Sequence, residues 1–76
     1  MNWQPIKRLE SADGLRRADI QANGHGQFGF VEHSYLSEDG DSFWTPTWFS
    51  GLYESAEAAE REARAELPWL RDAILK

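Results

Sequence analysis

A chain of 76 residues, 41% of them hydrophobic and including four Trp, four Phe and two Tyr, is one small folded domain and not a disordered segment. The absence of cysteine excludes disulfides and thiolate metal sites and indicates a reducing cytoplasm. No apolar run is long enough to span a membrane, and the N-terminus lacks the apolar core of a signal peptide. The net charge of −5, with no basic stripe, argues against nucleic acid as the partner.

The first fourteen residues give weak signals. Trp3, Ile6 and Leu9 are spaced by three, and Pro5 interrupts them. Residues 1–14 are therefore predicted to form an N-terminal arm, either as a helical turn or as an extended segment laid against a sheet.

Three strands are predicted over residues 15–49. In residues 15–22, Ala18 and Ile20 alternate with polar residues, which is typical of a half-buried strand. Asn23-Gly24 indicates a reversal into a second strand at 27–36. A polar turn over residues 37–41 then leads to a third strand at 42–49. The sequence predicts a three-stranded antiparallel sheet in an α+β domain.

A helix is predicted from residue 55 to residue 67, within a helical part that covers 55–75. Ser55 is a good N-cap, and two i,i+4 pairs, Glu57 with Arg61 and Glu60 with Arg64, support the helix. Its apolar stripe consists of Ala56, Ala59, Ala63 and Leu67. Pro68 cannot continue the ladder, so the helix either kinks or restarts there.

The register of the sheet follows from the loop lengths. An odd loop at Asn23-Gly24 places Ile20 beside both Phe28 and Phe30, and we prefer it to an even loop. A five-residue loop from Ser37 to Asp41 pairs three residues of the second strand with three of the third: Tyr35 with Phe43, His33 with Thr45, and Val31 with Thr47. Pro46 indicates an edge strand or a bulge, and a bulge would reverse the facing of the residues beyond it.

One helix covers only one face of such a sheet. The second face is predicted to be an interaction surface made of Val31, His33, Tyr35, Phe43 and Thr45, with Phe49 as a further candidate. The N-terminal arm or the segment from Trp69 to Leu75 is an alternative cover. If neither segment covers this face, a protein partner or a second copy of the chain is predicted to cover it.

The motifs that suggest chemistry are better explained by structure. Residues 24–29, GHGQFG, match a dinucleotide-binding fingerprint, but a strand and not a helix is predicted to follow, which favours a glycine-rich hairpin. Glu32 and His33 point to opposite faces of a strand, which argues against a metal site with His25. No serine has the patterned partners of a nucleophile. We therefore predict no catalytic residue, metal or cofactor.

The last half of the chain resembles two kinds of small sheet-plus-helix module, the HicB-type antitoxins and, more distantly, the AP2/integrase-arm DNA-binding domains. The resemblance rests on the strand 43–49, the turn Ser50-Gly51, and the helix start at 55–59, SAEAA. The first kind implies partnership with a small toxin protein. The second implies DNA binding through a basic sheet, which this sequence lacks.

We predict a non-enzymatic protein-interaction module. The alternatives are a nucleic-acid-binding domain that reads through its sheet and an acidic, antitoxin-like inhibitor that docks on a basic partner. A homodimer formed by face-to-face packing of the sheets is a further hypothesis.

Overall fold

The computed structural model describes residues 3–74, which form a four-stranded antiparallel sheet followed by two helices. The elements are β1 Gln4–Glu10, β2 Arg16–Ala22, β3 Phe28–Glu38, β4 Asp41–Phe49, α1 Ala56–Glu66 and α2 Pro68–Ile74, and the strands lie side by side in chain order. The α+β class, the antiparallel sheet and the C-terminal helix are confirmed. The predicted strand number is wrong, because the sheet has four strands.

The additional strand, β1, lies in the region predicted to be an arm. It pairs antiparallel with β2, so that Leu9 lies opposite Ala18. The register shifts between Pro5 and Lys7, which leaves Ile6 as an extra residue. A bulge of this kind breaks the two-residue alternation of a strand. This irregularity explains why the apolar residues of the segment are spaced by three.

The loop between β2 and β3 has the predicted odd length. Ile20 lies opposite Phe30, and Ala22 lies opposite Phe28. Asn23 Oδ1 accepts a 2.8 Å hydrogen bond from the backbone N–H of His25, which closes the turn. Both phenylalanines therefore lie on the same side of the sheet as Ile20.

The β3–β4 hairpin is tighter than predicted. Glu38 pairs with Asp41, so the loop consists of Asp39 and Gly40 alone, with φ angles of 51° and 85°. Two central residues with positive φ are characteristic of the tight turn that matches strand twist. The two-residue loop shifts the register by one residue, so the side chains in the first half of β4 point to the opposite face of the sheet from the predicted one.

A bulge in β4 then exchanges the two faces for the side chains that follow it. His33 pairs with Pro46, whereas Glu32 pairs with Trp48, so that Thr47 is the extra residue. The sequence had linked Pro46 to an edge strand or a bulge, and both are present, since β4 is an edge strand of the sheet.

The helices begin where the sequence predicted. The Ser55 hydroxyl accepts a hydrogen bond from the Ala58 N–H at 3.0 Å, and Ala59 and Ala63 are fully buried. The first helix ends at Glu66 with Leu67 as its C-cap, and Pro68 begins a second helix, which decides between restart and kink. Leu75, which the sequence had included in this segment, lies outside the described residues.

Both helices lie on one side of the sheet. The core joins the residues Ala18, Ile20, Phe30, Ala59, Ala63, Leu67 and Leu70, with Leu9, Phe28, Tyr53, Ala56 and Trp69 packed against it. Leu70 and Trp69 belong to this core, so α2 is not the cover that the sequence had suggested for the second face. The Cα atoms span 16 Å along the thinnest axis, enough for one sheet and one helical layer.

Candidate interaction surface

The face of the sheet that points away from the helices is here called the open face. Its members are the strand positions that pair with one another and alternate with the core residues. They include Arg8, Glu10, Arg17, Asp19, Gln21, Gly29, Val31, His33, Tyr35, Trp44, Pro46 and Phe49. Trp3 lies beside this face, since its Cη2 atom is 4.0 Å from the position that a Cβ on Gly29 would take.

The structure brings together three of the five residues that the sequence predicted for an interaction surface. Val31, His33 and Tyr35 lie on the open face. Phe43 and Thr45 do not, because they pair with Leu36 and Ser34 and share their side of the sheet. The two-residue turn at Asp39-Gly40 causes this difference.

Trp44 and Phe49 take the places opposite Tyr35 and Val31 on the open face. Phe49, which the sequence named as a further candidate, lies on this face. Sequence reasoning missed Trp44, and the signal that would have found it is the Asp-Gly dipeptide, which favours a two-residue hairpin loop.

An aromatic and cationic cluster lies at the end of the open face nearest the β3–β4 turn. The rings of Tyr35 and Trp44 meet edge to face, with centroids 5.2 Å apart and an interplanar angle of 61°. Arg17 Cζ lies 4.0 Å from the centroid of the Trp44 ring, which is a cation–π contact. The three residues thus come from three adjacent strands.

Two polar atoms of this region are buried without a hydrogen-bond partner, Arg17 Nε and His33 Nδ1. The two residues lie opposite one another on β2 and β3. Glu10 lies opposite Arg17 on the other side, yet the described residues include no ion pair between them. Arg17 Nε is always a donor, and leaving a buried donor unpaired costs about 1–3 kcal/mol, so this group favours a ligand that supplies an acceptor.

The centre of the open face is held by a charged pair. Arg8 donates to both carboxylate oxygens of Asp19, from Nε at 2.7 Å and from Nη2 at 3.1 Å. This hydrogen bond to Asp19 is the main reason why the pKa of Arg8 is raised above its ordinary value. Asp19 and the adjacent Val31 are buried, at 5% and 4% exposure, so the middle of the face is smooth.

A groove of about 280 Å³ lies at the opposite end of the face. Its lining includes Trp3, Gln21, Gly29, Phe49, Ser50 and Leu52. The chain after β4 closes over Gly29, since an added Cβ would lie 3.1 Å from Ser50 Oγ and 3.2 Å from the Gly51 carbonyl oxygen. The Ser50 hydroxyl fixes this segment because it accepts from the Phe30 N–H and donates to the Gly51 carbonyl, each at 2.8 Å. The groove is mainly aromatic and apolar.

The other motifs take structural places. Residues 24–27 of the GHGQFG segment lie in the five-residue loop between β2 and β3, and a strand follows it as predicted. Within residues 3–74, no group of three or more His, Asp or Glu side chains is arranged to hold a metal ion. None of the helices in that range has the length and apolar character needed to cross a membrane.

Comparison of the chain with known protein families, with curated proteins and with solved structures found no match. The resemblance to HicB-type and AP2-type modules therefore stays a prediction.

Proposed function

We propose that this protein is a non-enzymatic interaction module that binds a protein partner on its open face. The observation that carries the proposal is the exposure of aromatic side chains on a sheet face that no described element covers. Phe49 is 73% exposed, and Trp3 and Tyr35 also belong to the exposed class. Exposed apolar surface on a small protein marks an interaction site, and this face has it at both ends, beside Phe49 and beside Tyr35.

The exposed apolar residues are not scattered over the molecule. In the described part of the chain, most of them lie on the β3–β4 hairpin and the segment after it: Tyr35, Leu36, Phe43, Trp48, Phe49 and Leu52. Tyr35 and Phe49 belong to the open face, whereas Leu36, Phe43 and Trp48 lie on the helix side. The Thr47 bulge and Pro46 interrupt the outer edge of β4, which disfavours the addition of another strand. The other edge strand, β1, carries Pro5 and the bulge at Ile6, so a partner docks on a face and not on either edge.

The charges of the open face favour protein over nucleic acid. Arg8 and Arg17 are balanced by Asp19 and Glu10, so the strand residues supply no net positive charge for a phosphate backbone. One side of the Trp44 ring is covered by Arg17, which leaves less aromatic surface for base stacking.

The acidic side of α1 is the basis of the inhibitor alternative. Glu60, however, already accepts from Lys7 at 2.9 Å and from Arg64 at 2.8 Å. Two basic side chains therefore neutralise a central carboxylate of α1, which makes the acidic side of the helix less suited to mimic the phosphates of nucleic acid.

The open face alone is too small for a stable homodimer. Four strands of seven to eleven residues offer a flat footprint of about 550 Å² per copy, or about 1,100 Å² for a pair, against about 1,600 Å² in a standard stable interface. We therefore expect a monomer in sedimentation equilibrium, and a stable dimer would point to the homodimer alternative.

The proposal is tested by selecting binders from a displayed library of random peptides and then challenging them with two matched variants. Phe49→Ser removes an exposed ring from the open face, and Phe43→Ser removes one from the same strand on the opposite face. Peptides that bind the wild type and Phe43→Ser but not Phe49→Ser support the proposal. Peptides that lose binding only to Phe43→Ser, or a selection that yields no binder, contradict it.

A further inference from the structure

We infer that the open face binds an extended peptide carrying an apolar side chain and, four residues away, a carboxylate. This inference rests on the proposed function and names the chemistry of the partner. It follows from Arg17, the arginine of the open face without a carboxylate partner among the described residues, from one apolar groove, and from the separation between them.

The cation is Arg17. Three other basic residues have carboxylate partners: Lys7 and Arg64 with Glu60, and Arg8 with Asp19. Arg17 has none among the described residues and contacts the Trp44 ring instead. A guanidinium on an aromatic surface keeps its charge and its hydrogen-bond donors, so it is suited to a carboxylate ligand.

His33 strengthens this preference. It lies opposite Arg17 on the neighbouring strand, and its Nδ1, like Arg17 Nε, lacks a hydrogen-bond partner. Both side chains are half-buried and keep part of their surface accessible. A carboxylate docked beside Arg17 accepts from the outer N–H groups of the guanidinium, whereas the buried Arg17 Nε and His33 Nδ1 reach it only after a side-chain rotation.

The apolar anchor fits the groove between Trp3 and Phe49. Its floor includes Gly29, which is four residues before His33 on the same face of β3. Four residues of strand span about 13 Å. In an extended peptide, side chains four residues apart also point to the same face and are separated by the same distance. One short extended segment therefore reaches both the groove and the Arg17–His33 pair.

The inference is tested with fluorescein-labelled peptides of nine residues in which Leu and Glu are four residues apart in a Gly/Ala background. Anisotropy titrations compare this peptide with two others, one with Gln in place of Glu and one with Glu moved one residue closer. We expect the Glu peptide to bind about tenfold or more tightly than either control. The Gln peptide lacks the charge, and the shifted Glu points away from Arg17.

Two neighbouring arginines supply the matched protein variants. Arg17→Gln should remove the preference for Glu over Gln, whereas Arg16→Gln, on the opposite face of β2, should leave it unchanged. The comparison of the Glu and Gln peptides on the wild type needs no variant, so it decides even where Arg17→Gln is unstable.

The outcomes separate this inference from the proposed function. Equal binding of the Glu and Gln peptides, still lost in Phe49→Ser, overturns the carboxylate and leaves the interaction module intact. If the Glu and Gln peptides bind equally well and Phe49→Ser weakens neither, both this inference and the proposed function are overturned. Absence of binding up to about 1 mM overturns the peptide specificity stated here. Displacement of the peptide by single-stranded oligothymidylate at lower concentration than by unlabelled peptide would assign the cation to phosphate instead.

Discussion

The indole Nε1 of Trp69 donates a 2.7 Å hydrogen bond to Oε2 of Glu32. The other oxygen of this carboxylate, Oε1, accepts a 2.7 Å hydrogen bond from the Thr47 hydroxyl. One side chain of β3 thus joins α2 to the bulge of β4. The contact holds α2 on the side of the sheet that α1 already covers, which leaves the other face open.

Replacement of Trp69 by Phe should lower the free energy of unfolding by about 1–2 kcal/mol, because Glu32 loses a donor in a half-buried setting. Urea unfolding followed by circular dichroism measures the change. Trp48→Phe is the matched control, since Trp48 is exposed and makes no such bond. Equal losses in the two variants would contradict the role given to the Trp69–Glu32 contact.

Replacement of Ala63 by Phe should destabilise the protein by about 1–3 kcal/mol, because the helix packs closely on the sheet at this position. Ala63 is fully buried, whereas Ala65 on the same helix is exposed. Ala65→Phe is therefore the control, and its melting temperature should stay near that of the wild type. An unchanged melting temperature for Ala63→Phe would show that α1 docks through another face.

Replacement of Gly29 by Ala should destabilise the protein by about 1–3 kcal/mol, because the new methyl group crowds Ser50 and the Gly51 carbonyl. Gly51→Ala is the natural control, since its added Cβ meets no atom within 4 Å. Thermal unfolding of the two variants gives the comparison. A Gly29→Ala protein as stable as Gly51→Ala would mean that the segment after β4 moves freely away from β3.

Glu60 should make the stability depend on pH. Hydrogen bonds from Lys7 and then Arg64 hold its pKa below the ordinary value for a glutamate. Its stabilising contribution is therefore complete above the unfolded-state pKa of about 4.3 and is lost as the pH falls through the lower folded-state value.

Urea unfolding of the wild type and of Glu60→Gln, compared between about pH 6 and pH 3, checks this dependence. The difference in stability between them should shrink toward low pH, whereas the exposed Glu57→Gln control should show a smaller difference at about pH 6, limited to the place of Glu57 in the first turn of the helix. A constant difference would show that Glu60 contributes through packing and not through its charge.

The sequence predicted the parts of the fold whose local chemistry and packing agree. The Ser55 cap, the stripe of Ala59 and Ala63, and the restart at Pro68 each have a local physical cause. The strand β1 escaped prediction because it is an edge strand with a bulge at Ile6, so its apolar residues do not alternate.

The sequence predicted the residues that β3 contributes to the candidate surface but not those that β4 contributes, and the reason differs from that for β1. Val31, His33 and Tyr35 follow the regular alternation of β3, which needs only the strand itself. The residues that β4 contributes depend on loop length, and a one-residue error at Asp39-Gly40 exchanges Trp44 for Phe43. Register of this kind is fixed by turn geometry, which the Asp39-Gly40 dipeptide indicates and the polar composition of residues 37–41 alone does not.

The central claim, that the open face is the binding surface, is tested most directly by chemical-shift mapping. The tightest peptide from the library selection is titrated into the ¹⁵N-labelled protein, and the same titration is repeated with Phe49→Ser. The account predicts that the largest amide shifts fall on Arg17, His33, Trp44 and Phe49, and that they vanish in the variant. Shifts that are largest along α1, or that persist in Phe49→Ser, would contradict it.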